Sequence, residues 1–476
     1  MFNPLMYIDF YKADHRSQYP VGTELVYSNF TPRKSRIDGV DKIVFFGLQY
    51  LIKEFLIDRF NEGFFKRSKK EVVSEYRELM DSCLGKDAID CKHIEDLWDL
   101  GYLPIVIKAV DEGSLVPIQC PMMTFYNTNA RFFWLTNYLE TLMSAVMWKA
   151  CTSATMAHLF RREFDKYCEF TGGNKEFVDF QGHDFSFRGM SGIEDGCLSG
   201  AGHLLSFSGT DTTPSIPWLN KYYDASGFIG GSVFATEHSV LCADDEFDIY
   251  KRLLTEVYPN GIVSVVSDTY DFWKVVTEYL PRLKEDILRR DGKLVIRPDS
   301  GVPHKIICGD PDSVVECEKK GLVRCLMDTF GYTVNDLGFA ELNPKVGCIY
   351  GDSIDLAEQR RIMDGLYKLR LVSTNVVLGI GSYTYQYVTR DTFGFVCKAT
   401  YCEVNGQGRA IYKEPKTGAW KKSHKGLLRV NDDWSVSQDV GWSDESGGKL
   451  TEVFKNGKLM KETSLTKVRN LLKEGL

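Results

Sequence analysis

Asp211, Asp268, Asp299 and Asp352 each stand where a short apolar or alternating run breaks into polar residues. Four carboxylates delivered in that way to one rim would repel, so arginines, a divalent cation or a polyhydroxylated sugar belong among them. The richest ending is Lys293-Leu-Val-Ile-Arg-Pro-Asp-Ser-Gly301, an apolar run long enough for a buried strand, then a guanidinium, a proline, a carboxylate, a hydroxyl and a glycine. Arg297 can face an anion or a carbonyl, Asp299 can hold sugar hydroxyls or a metal, and Gly301 lets backbone come close to a ligand. The same residues also spell a buried ion pair followed by a helix-capping turn. His238, between Glu237 and Ser239, is either a satisfied core histidine or an imidazole oriented by Asp268 from a later strand ending. Gly379-Ile-Gly381-Ser382 lacks the third glycine of a dinucleotide fingerprint, which leaves a plain tight turn or a cradle whose backbone N–H groups reach a phosphate.

Positioning such groups requires a repeated element, and residues 175–385 contain one. Seven segments of strand length end in polar residues: His183-Asp184 with Phe185 and Arg188, Ser208-Gly-Thr-Asp211, Thr236-Glu-His-Ser239, Ser264-Val-Val-Ser-Asp268, Arg297-Pro-Asp299, Gly351-Asp352 and Gly379-Ile-Gly381-Ser382. Amphipathic helical stretches over 245–258, 271–290 and 356–369 lie between them. Parallel strands with polar groups at one rim describe a βα barrel whose C-terminal face carries the site. The flanks read differently. Helical spacing covers 41–59 and 69–84, short strands cover 103–110 and 115–119, and long apolar-faced helices run over 132–164. After Asp391, the turn signals Asn405-Gly406 and Asn456-Gly457 bracket a basic segment with Lys413, Lys416, Lys421, Lys422, His424 and Lys425, and Ser464 caps a closing helix to Glu474. The expected fold class is α/β: an irregular βα barrel with a β-rich α+β domain formed by the N- and C-terminal parts. Its spans are an N-terminal α+β domain over 1–150, the barrel over 151–385, and a C-terminal hairpin segment over 386–476 that completes the first domain.

Composition limits the partners. The 476 residues exceed one ordinary core, and 43% hydrophobic with 26% charged residues are globular values. A net charge of −7 and a pI near 5.8 argue against a nucleic-acid coat, so phosphate binding must come from a local cluster of basic residues. Thirteen scattered cysteines without a Cys-x-x-Cys pair read as reduced thiols rather than a disulfide framework or zinc site. With no apolar run near the ~18 residues of a membrane span and no basic-then-apolar leader, a soluble cytoplasmic protein without membrane or nucleic-acid partners is expected.

The motifs together resemble the nicotinamide phosphoribosyltransferases, type II phosphoribosyltransferases. The residues that carry the likeness are Asp9-Phe-Tyr11-Lys with Gln18-Tyr-Pro, Phe46-Gly-Leu-Gln-Tyr, Trp134-Leu-Thr-Asn, His183-Asp-Phe-Ser-Phe-Arg-Gly189, Gly209-Thr-Asp-Thr212 and Ala235-Thr-Glu-His238-Ser. Ser264-Val-Val-Ser-Asp268, Ile296-Arg-Pro-Asp-Ser-Gly301 and Gly351-Asp352 continue it, in order, over nearly the whole chain. The resemblance implies transfer of phosphoribosyl from phosphoribosyl pyrophosphate to nicotinamide. It places the pyridine ring between Phe185 and Tyr11 of a second subunit, with Asp211 accepting from the carboxamide and Arg297 near its oxygen, and it makes Ser264 a substrate-binding residue. It gives the donor's phosphate to Arg188 and the loops at Gly351, Asp352 and Gly381. The pyrophosphate side falls to Arg33, Arg390, Lys398 and Lys413 of the other subunit, so the expected assembly is a homodimer with shared sites. Asp268 and Asp299 would serve the ribose and Mg²⁺, and His238 would take a phosphoryl group from ATP, an activating co-substrate.

Two departures stand out. The family shows a longer glycine run where this chain has Gly379-Ile-Gly-Ser-Tyr-Thr384, and Tyr387 stands where a lysine is common, so an altered affinity for the phosphosugar is expected with catalysis intact. The alternative function is a nicotinate phosphoribosyltransferase, disfavoured because Asp211 would repel a carboxylate. A Schiff-base aldolase or isomerase needs a lysine that no strand ending supplies. A nucleotide-binding regulator without turnover is the non-enzyme reading.

Overall fold

The computed structural model describes residues 2–414 and 422–475, so Lys416 and Lys421 of the basic segment lie outside the described residues. The chain divides into two compact units: Met1–Thr155 with Leu219–Ala225 and Val388–Leu476, and Met156–Trp218 with Ser226–Tyr387. The helix Glu140–Thr171 begins in the first and ends in the second.

The first unit is built on a seven-stranded antiparallel sheet. Its strand order is Gln407–Ala410, Phe395–Val404, Thr23–Pro32, Met123–Asn127, Ile105–Ala109, Thr451–Lys455 and Lys458–Leu459. C-terminal and N-terminal strands thus interleave in one sheet. Both outer hairpins turn on Asn-Gly pairs with positive φ at each residue, 52° and 68° at Asn405 and Gly406 and 50° and 79° at Asn456 and Gly457. That is the twist-matched two-residue turn. Inside, Glu445 is 1% exposed and satisfied by the Lys108 ammonium and the Tyr27 hydroxyl, which pins the C-terminal segment onto the sheet. Segment Leu219–Ala225 is held here by Tyr223, whose hydroxyl donates to buried Glu112 at 2.8 Å while the backbone N–H groups of Gly47 and Gln49 donate to the same carboxylate. The helix expected over 41–59 starts only at Leu48, and Lys42–Val44 is a strand paired with Leu115–Pro117, while the helix Lys92–Leu100 and the strand Met123–Asn127 add to what the sequence pattern indicates. Ile43 and Val44 are β-branched and favour the extended backbone, and Gly47, at φ 101°, makes the corner where the helix begins. Helix Lys69–Leu84 and helix Leu465–Glu474 form as expected, the latter capped by Ser464.

The second unit holds a seven-stranded sheet in which every pairing is parallel. Its order is Gly209–Thr210, Gly182–Asp184, Val376–Ile380, Val346–Tyr350, Asp291–Arg297, Asn260–Val266 and Phe234–Ala235. Each strand leads into one of the seven polar endings read from the sequence. The sheet curls until Gly209 bridges Gly231, just ahead of the last strand, with the Thr210 N–H donating to the Gly231 carbonyl at 2.9 Å. Along Asp291–Arg297 the burial alternates: Leu294 and Ile296 are fully buried, whereas Lys293, Val295 and Arg297 share the opposite, partly open face. Helices Phe272–Lys274, Leu280–Arg282, Pro303–Cys308, Leu322–Phe330 and Leu356–Lys368 belong to the same unit. The hairpin Tyr332–Val334 with Ala340–Leu342 was not anticipated. This is a mixed α/β fold, a parallel curled sheet in one unit and an antiparallel sheet in the other. Among the described residues no helix is long and apolar enough to cross a membrane.

Candidate active site

The C-terminal ends of the parallel strands gather one set of the expected residues. Asp211 follows the short strand Gly209–Thr210, and its backbone N–H is held by the Asp184 carbonyl at 2.9 Å. His183 Nε2 lies 3.0 Å from Asp211 Oδ1, and the Ser232 hydroxyl donates to the same oxygen. Burial opposes ionisation of Asp211, but the hydrogen bonds from His183 and Ser232, with the charges of His183 and Arg297, outweigh it and hold the carboxyl below its ordinary value. Arg297 donates through Nη2 to the Thr236 carbonyl at 2.7 Å. Its Nε and the Ser264 hydroxyl are buried without a hydrogen-bond partner in the protein. The two stand on neighbouring strands, and buried polar atoms left unpaired are costly unless something else binds them.

Phe185 lies beside this group, its ring 4.6 Å from the His183 ring. The glycines around it have a steric reason: a Cβ on Gly379 would fall 2.5 Å from Phe185 Cδ2 and 2.8 Å from Gly351 Cα, and one on Gly351 would fall 3.1 Å from Asp299 Oδ1. Around Gly381 there is open space, and its φ of −107° is one that any residue adopts. The opening beside its backbone, rather than a special conformation, is what glycine provides there.

Asp268 and Asp299 come together as a turn. The Asp299 N–H and the Ser300 hydroxyl both donate to Asp268 Oδ2, at 3.0 and 2.6 Å. Asp268 Oδ1 is buried with no hydrogen-bond partner in the protein, and His238 Nε2 lies 3.8 Å from it. The imidazole and carboxylate therefore meet at ion-pair distance, and His238 Nδ1 faces the Thr269 hydroxyl at 3.2 Å. Asp352 is exposed, bonded to the Ser353 hydroxyl. Arg188 is exposed on the turn Phe187–Gly189, whose last residue packs against Ser382. Tyr383 and Tyr387 stack on each other 4.8 Å apart just beyond Gly381.

The remaining expected residues lie in the first unit. Tyr11 is 62% exposed, its ring 5.4 Å from that of His15. Arg33 is lowered from its ordinary value by burial and by the neighbouring Arg390, which places those two guanidiniums close together with Asp391 beside them. Lys398 stands in the strand Phe395–Val404 opposite Asn29, and Lys413 is tied through its backbone to Ser423.

Residues 180–458 match the model of the nicotinate phosphoribosyltransferase family, and residues 3–107 match that of the nicotinamide phosphoribosyltransferase N-terminal domain. This chain belongs to the nicotinate phosphoribosyltransferase family. A protein of Acinetobacter baylyi named nicotinamide phosphoribosyltransferase is 51% identical to it over 100% of this chain and 98% of that one. A protein of the same name from Xanthomonas campestris is 33% identical over 98% and 97%. The family's fold is recovered as well. Nicotinate-nucleotide pyrophosphorylase of Pyrococcus furiosus superposes with a TM-score of 0.61 at 11% identity, covering 99% of this chain and 95% of that one. Human nicotinic acid phosphoribosyltransferase gives 0.57 at 15%, covering 98% and 93%.

For a phosphoribosyltransferase of this family, the sequence reading passed over several groups at the rim. His183 and Ser232 bond Asp211, Thr236 receives Arg297, and Thr269 faces His238. His183, Thr236 and Thr269 each adjoin or sit within a quoted ending, so position at a strand end was the available signal. Ser232 lies in a loop and left none.

Proposed function

We propose that this enzyme is a nicotinamide phosphoribosyltransferase, a pentosyltransferase that moves phosphoribosyl from phosphoribosyl pyrophosphate to the ring nitrogen of nicotinamide. The products are nicotinamide mononucleotide and pyrophosphate, a step of NAD salvage. The observation that carries the choice of substrate is Asp211, ionised, with one oxygen occupied by His183 and Ser232. Its other oxygen accepts an N–H from a carboxamide, whereas the carboxylate of nicotinate would meet repulsion. Arg297 Nε and the Ser264 hydroxyl supply unspent donors for the carboxamide oxygen. The names of the relatives that align over the full chain agree with this reading.

The chemistry follows from charge. The pyridine nitrogen attacks the anomeric carbon with a lone pair and carries no proton, so no general base is needed. As pyrophosphate leaves, positive charge grows on the ribose and negative charge on the leaving group, so carboxylates at the sugar and cations at the pyrophosphate both favour the transition state. Asp268 and Asp299 take the first role. Arg188 and the loops at Gly351, Asp352 and Gly381 hold the phosphate, and Phe185 positions the pyridine by stacking. We assign Tyr11, Arg33, Arg390, Lys398 and Lys413 to the site of a partner copy, so that a cytoplasmic homodimer shares its two sites.

Among the described residues no group of three or more His, Cys, Asp or Glu is arranged to hold a metal by itself. Two carboxylates, one with a buried and unpartnered oxygen, do fit Mg²⁺, which retains waters and shares substrate phosphates rather than filling an all-protein cage. Asp268 and Asp299 would hold it, and when bound it would neutralise charge on the pyrophosphate. ATP is the activating co-substrate we assign to His238, where Asp268 lies 3.8 Å from Nε2 and orients the imidazole, whose neutral nitrogen would accept the phosphoryl group.

Product analysis with phosphoribosyl pyrophosphate, Mg²⁺ and either nicotinamide or nicotinate tests the reading. Nicotinamide mononucleotide and pyrophosphate are expected in equal amounts. Preference for nicotinate would overturn it.

A further inference from the structure

The strand that delivers Asp211 is only Gly209–Thr210, joined to its neighbour Gly182–Asp184 through two residue pairs, His183 with Gly209 and Asp184 with Thr210. So short a strand has few ladder bonds, and further contacts hold it, among them the Asp211 N–H to the Asp184 carbonyl and the Thr210 N–H to the Gly231 carbonyl. A buried side-chain bridge lies against it. His203, the last residue of helix Ile193–His203 and 0% exposed, places Nε2 3.0 Å from the Gly209 carbonyl and Nδ1 2.7 Å from the Tyr385 hydroxyl. A carbonyl can only accept, so Nε2 carries the hydrogen, Nδ1 is the bare nitrogen, and the Tyr385 O–H donates to it. One assignment of protons satisfies the whole chain of groups. Burial pushes His203 down to about 4, which keeps the ring neutral and this tautomer in place at neutral pH.

The far end of the bridge is anchored two strands along the sheet, past Gly182–Asp184. Tyr385, also 0% exposed, ends the turn Ser382–Tyr385, and its N–H donates to the Gly381 carbonyl at 3.3 Å. The ring of His203 lies flat against Phe207 at 5.0 Å, so the imidazole cannot swing without disturbing packing. The connection therefore runs from Gly381 through Tyr385 and His203 to Gly209, two residues before Asp211. It is separate from the route through the strands, where Ile380 pairs Asp184 and the Phe185 N–H donates to the Ile380 carbonyl.

We propose that Tyr385 and His203 are positioning residues that lock the loop at Gly381 to Asp211, so that the phosphate side and the carboxamide side of the site are set by one buried hydrogen-bonded bridge. The inference rests on the reading of Asp211 and the Gly381 loop given under the proposed function. Neither residue touches substrate; each acts through the backbone it holds. Removing the Tyr385 hydroxyl leaves the imidazole Nδ1 a buried acceptor without this donor and frees both loops together. Tyr385→Phe is expected to raise the KM for nicotinamide and for phosphoribosyl pyrophosphate together, each by about three- to tenfold, with kcat nearly unchanged. His203→Leu breaks the same bridge, so the double variant should be no worse than the worse single one.

The control is Tyr167→Phe, which deletes a hydroxyl bonded to Asp364 elsewhere in the same unit. It should lower the unfolding temperature without moving either KM. Wild-type turnover is measured first: absence of nicotinamide mononucleotide there would sink the functional reading itself. If wild type turns over and folded Tyr385→Phe shows both KM values unchanged, or only a Tyr167-like loss of unfolding temperature, the bridge has no positioning role. A rise in only one of the two KM values would also overturn the coupling.

Discussion

At the scale of single residues, substrate choice rests, in the proposed function, on a hydrogen bond to a charged group. Asp211→Ala removes the ionised acceptor and leaves His183 and Ser232 without it. A charge-assisted bond of about 1.5–3 kcal/mol predicts a ten- to hundredfold loss of kcat/KM for nicotinamide, with the unfolding temperature little changed because Asp211 is partly exposed. Steady-state kinetics beside a thermal melt check it. His238 calls for a different readout, since its ring is half-exposed and 3.8 Å from Asp268. His238→Ala should stay folded, keep slow synthesis without ATP, and lose both ATP hydrolysis and any fall of the donor KM with ATP. ATP stimulation persisting in that variant would remove this histidine from the scheme. A third residue-level expectation concerns acid. His93, His158 and His203 are pushed by burial to about 4, against an ordinary value of 6.5. Between those two values the unfolded chain takes up protons that the native state refuses, so stability falls as pH drops through that window and levels off on either side of it. Each histidine contributes a slope of at most ~1.4 kcal/mol per pH unit. Melting curves from pH 7 down to 4.5 measure the fall, and His158→Leu, which removes a buried Nδ1 without a protein partner, should make it shallower.

At the scale of elements, strand ends decide what touches the ligand. Gly379, near the end of the strand Val376–Ile380, has no room for a side chain because Phe185 and Gly351 occupy the space. Gly379→Ala is expected to destabilise by about 1–3 kcal/mol through overpacking. It should also displace the Phe185 ring, raising the KM for nicotinamide more than that for the donor. A melt unchanged within error, with normal kinetics, would show that the strand yields instead. Gly381 makes the opposite case, since its surroundings are open and its backbone ordinary. The pattern Gly-x-Gly thus combines two different needs, one steric and one of access, that the letters do not separate. The elements themselves were legible where local chemistry is strong. Asn-Gly turns, the Ser464 cap and the helix Lys69–Leu84 form where the sequence puts them. The start of the helix over 41–59 is ambiguous in sequence because apolar spacing in Ile43-Val-Phe-Phe46 suits either period over so short a run.

At the scale of the whole molecule, an acidic chain of net charge −7 must bind a polyanion through a local concentration of cations. Arg33 and Arg390 form such a pair in the first unit. If two copies share each site, Tyr11→Ala and Phe185→Ala are each inactive alone, while a mixture of the two chains rebuilds one site in every heterodimer. Random exchange then restores about a quarter of wild-type activity. Mixing after partial denaturation, with heterodimers verified by tagged chains, measures it, and no recovery despite heterodimers would rule out the sharing.

The sequence by itself determined the seven polar strand endings, and with them the parallel sheet, because a buried strand that stops at a ligand must change abruptly from apolar to polar residues. It determined the two Asn-Gly hairpin turns, because such turns are local. Only tertiary structure decided which polar groups are partnered. His183 reaches Asp211 from a neighbouring strand, and His203 meets Tyr385 across 182 positions of chain. Nothing local distinguishes those histidines from any other, because their tautomers and roles are set by atoms that folding alone brings within 3 Å. The unpaired atoms on Ser264, Asp268 and Arg297 were likewise visible only in the folded chain, where it can be seen which polar groups find partners.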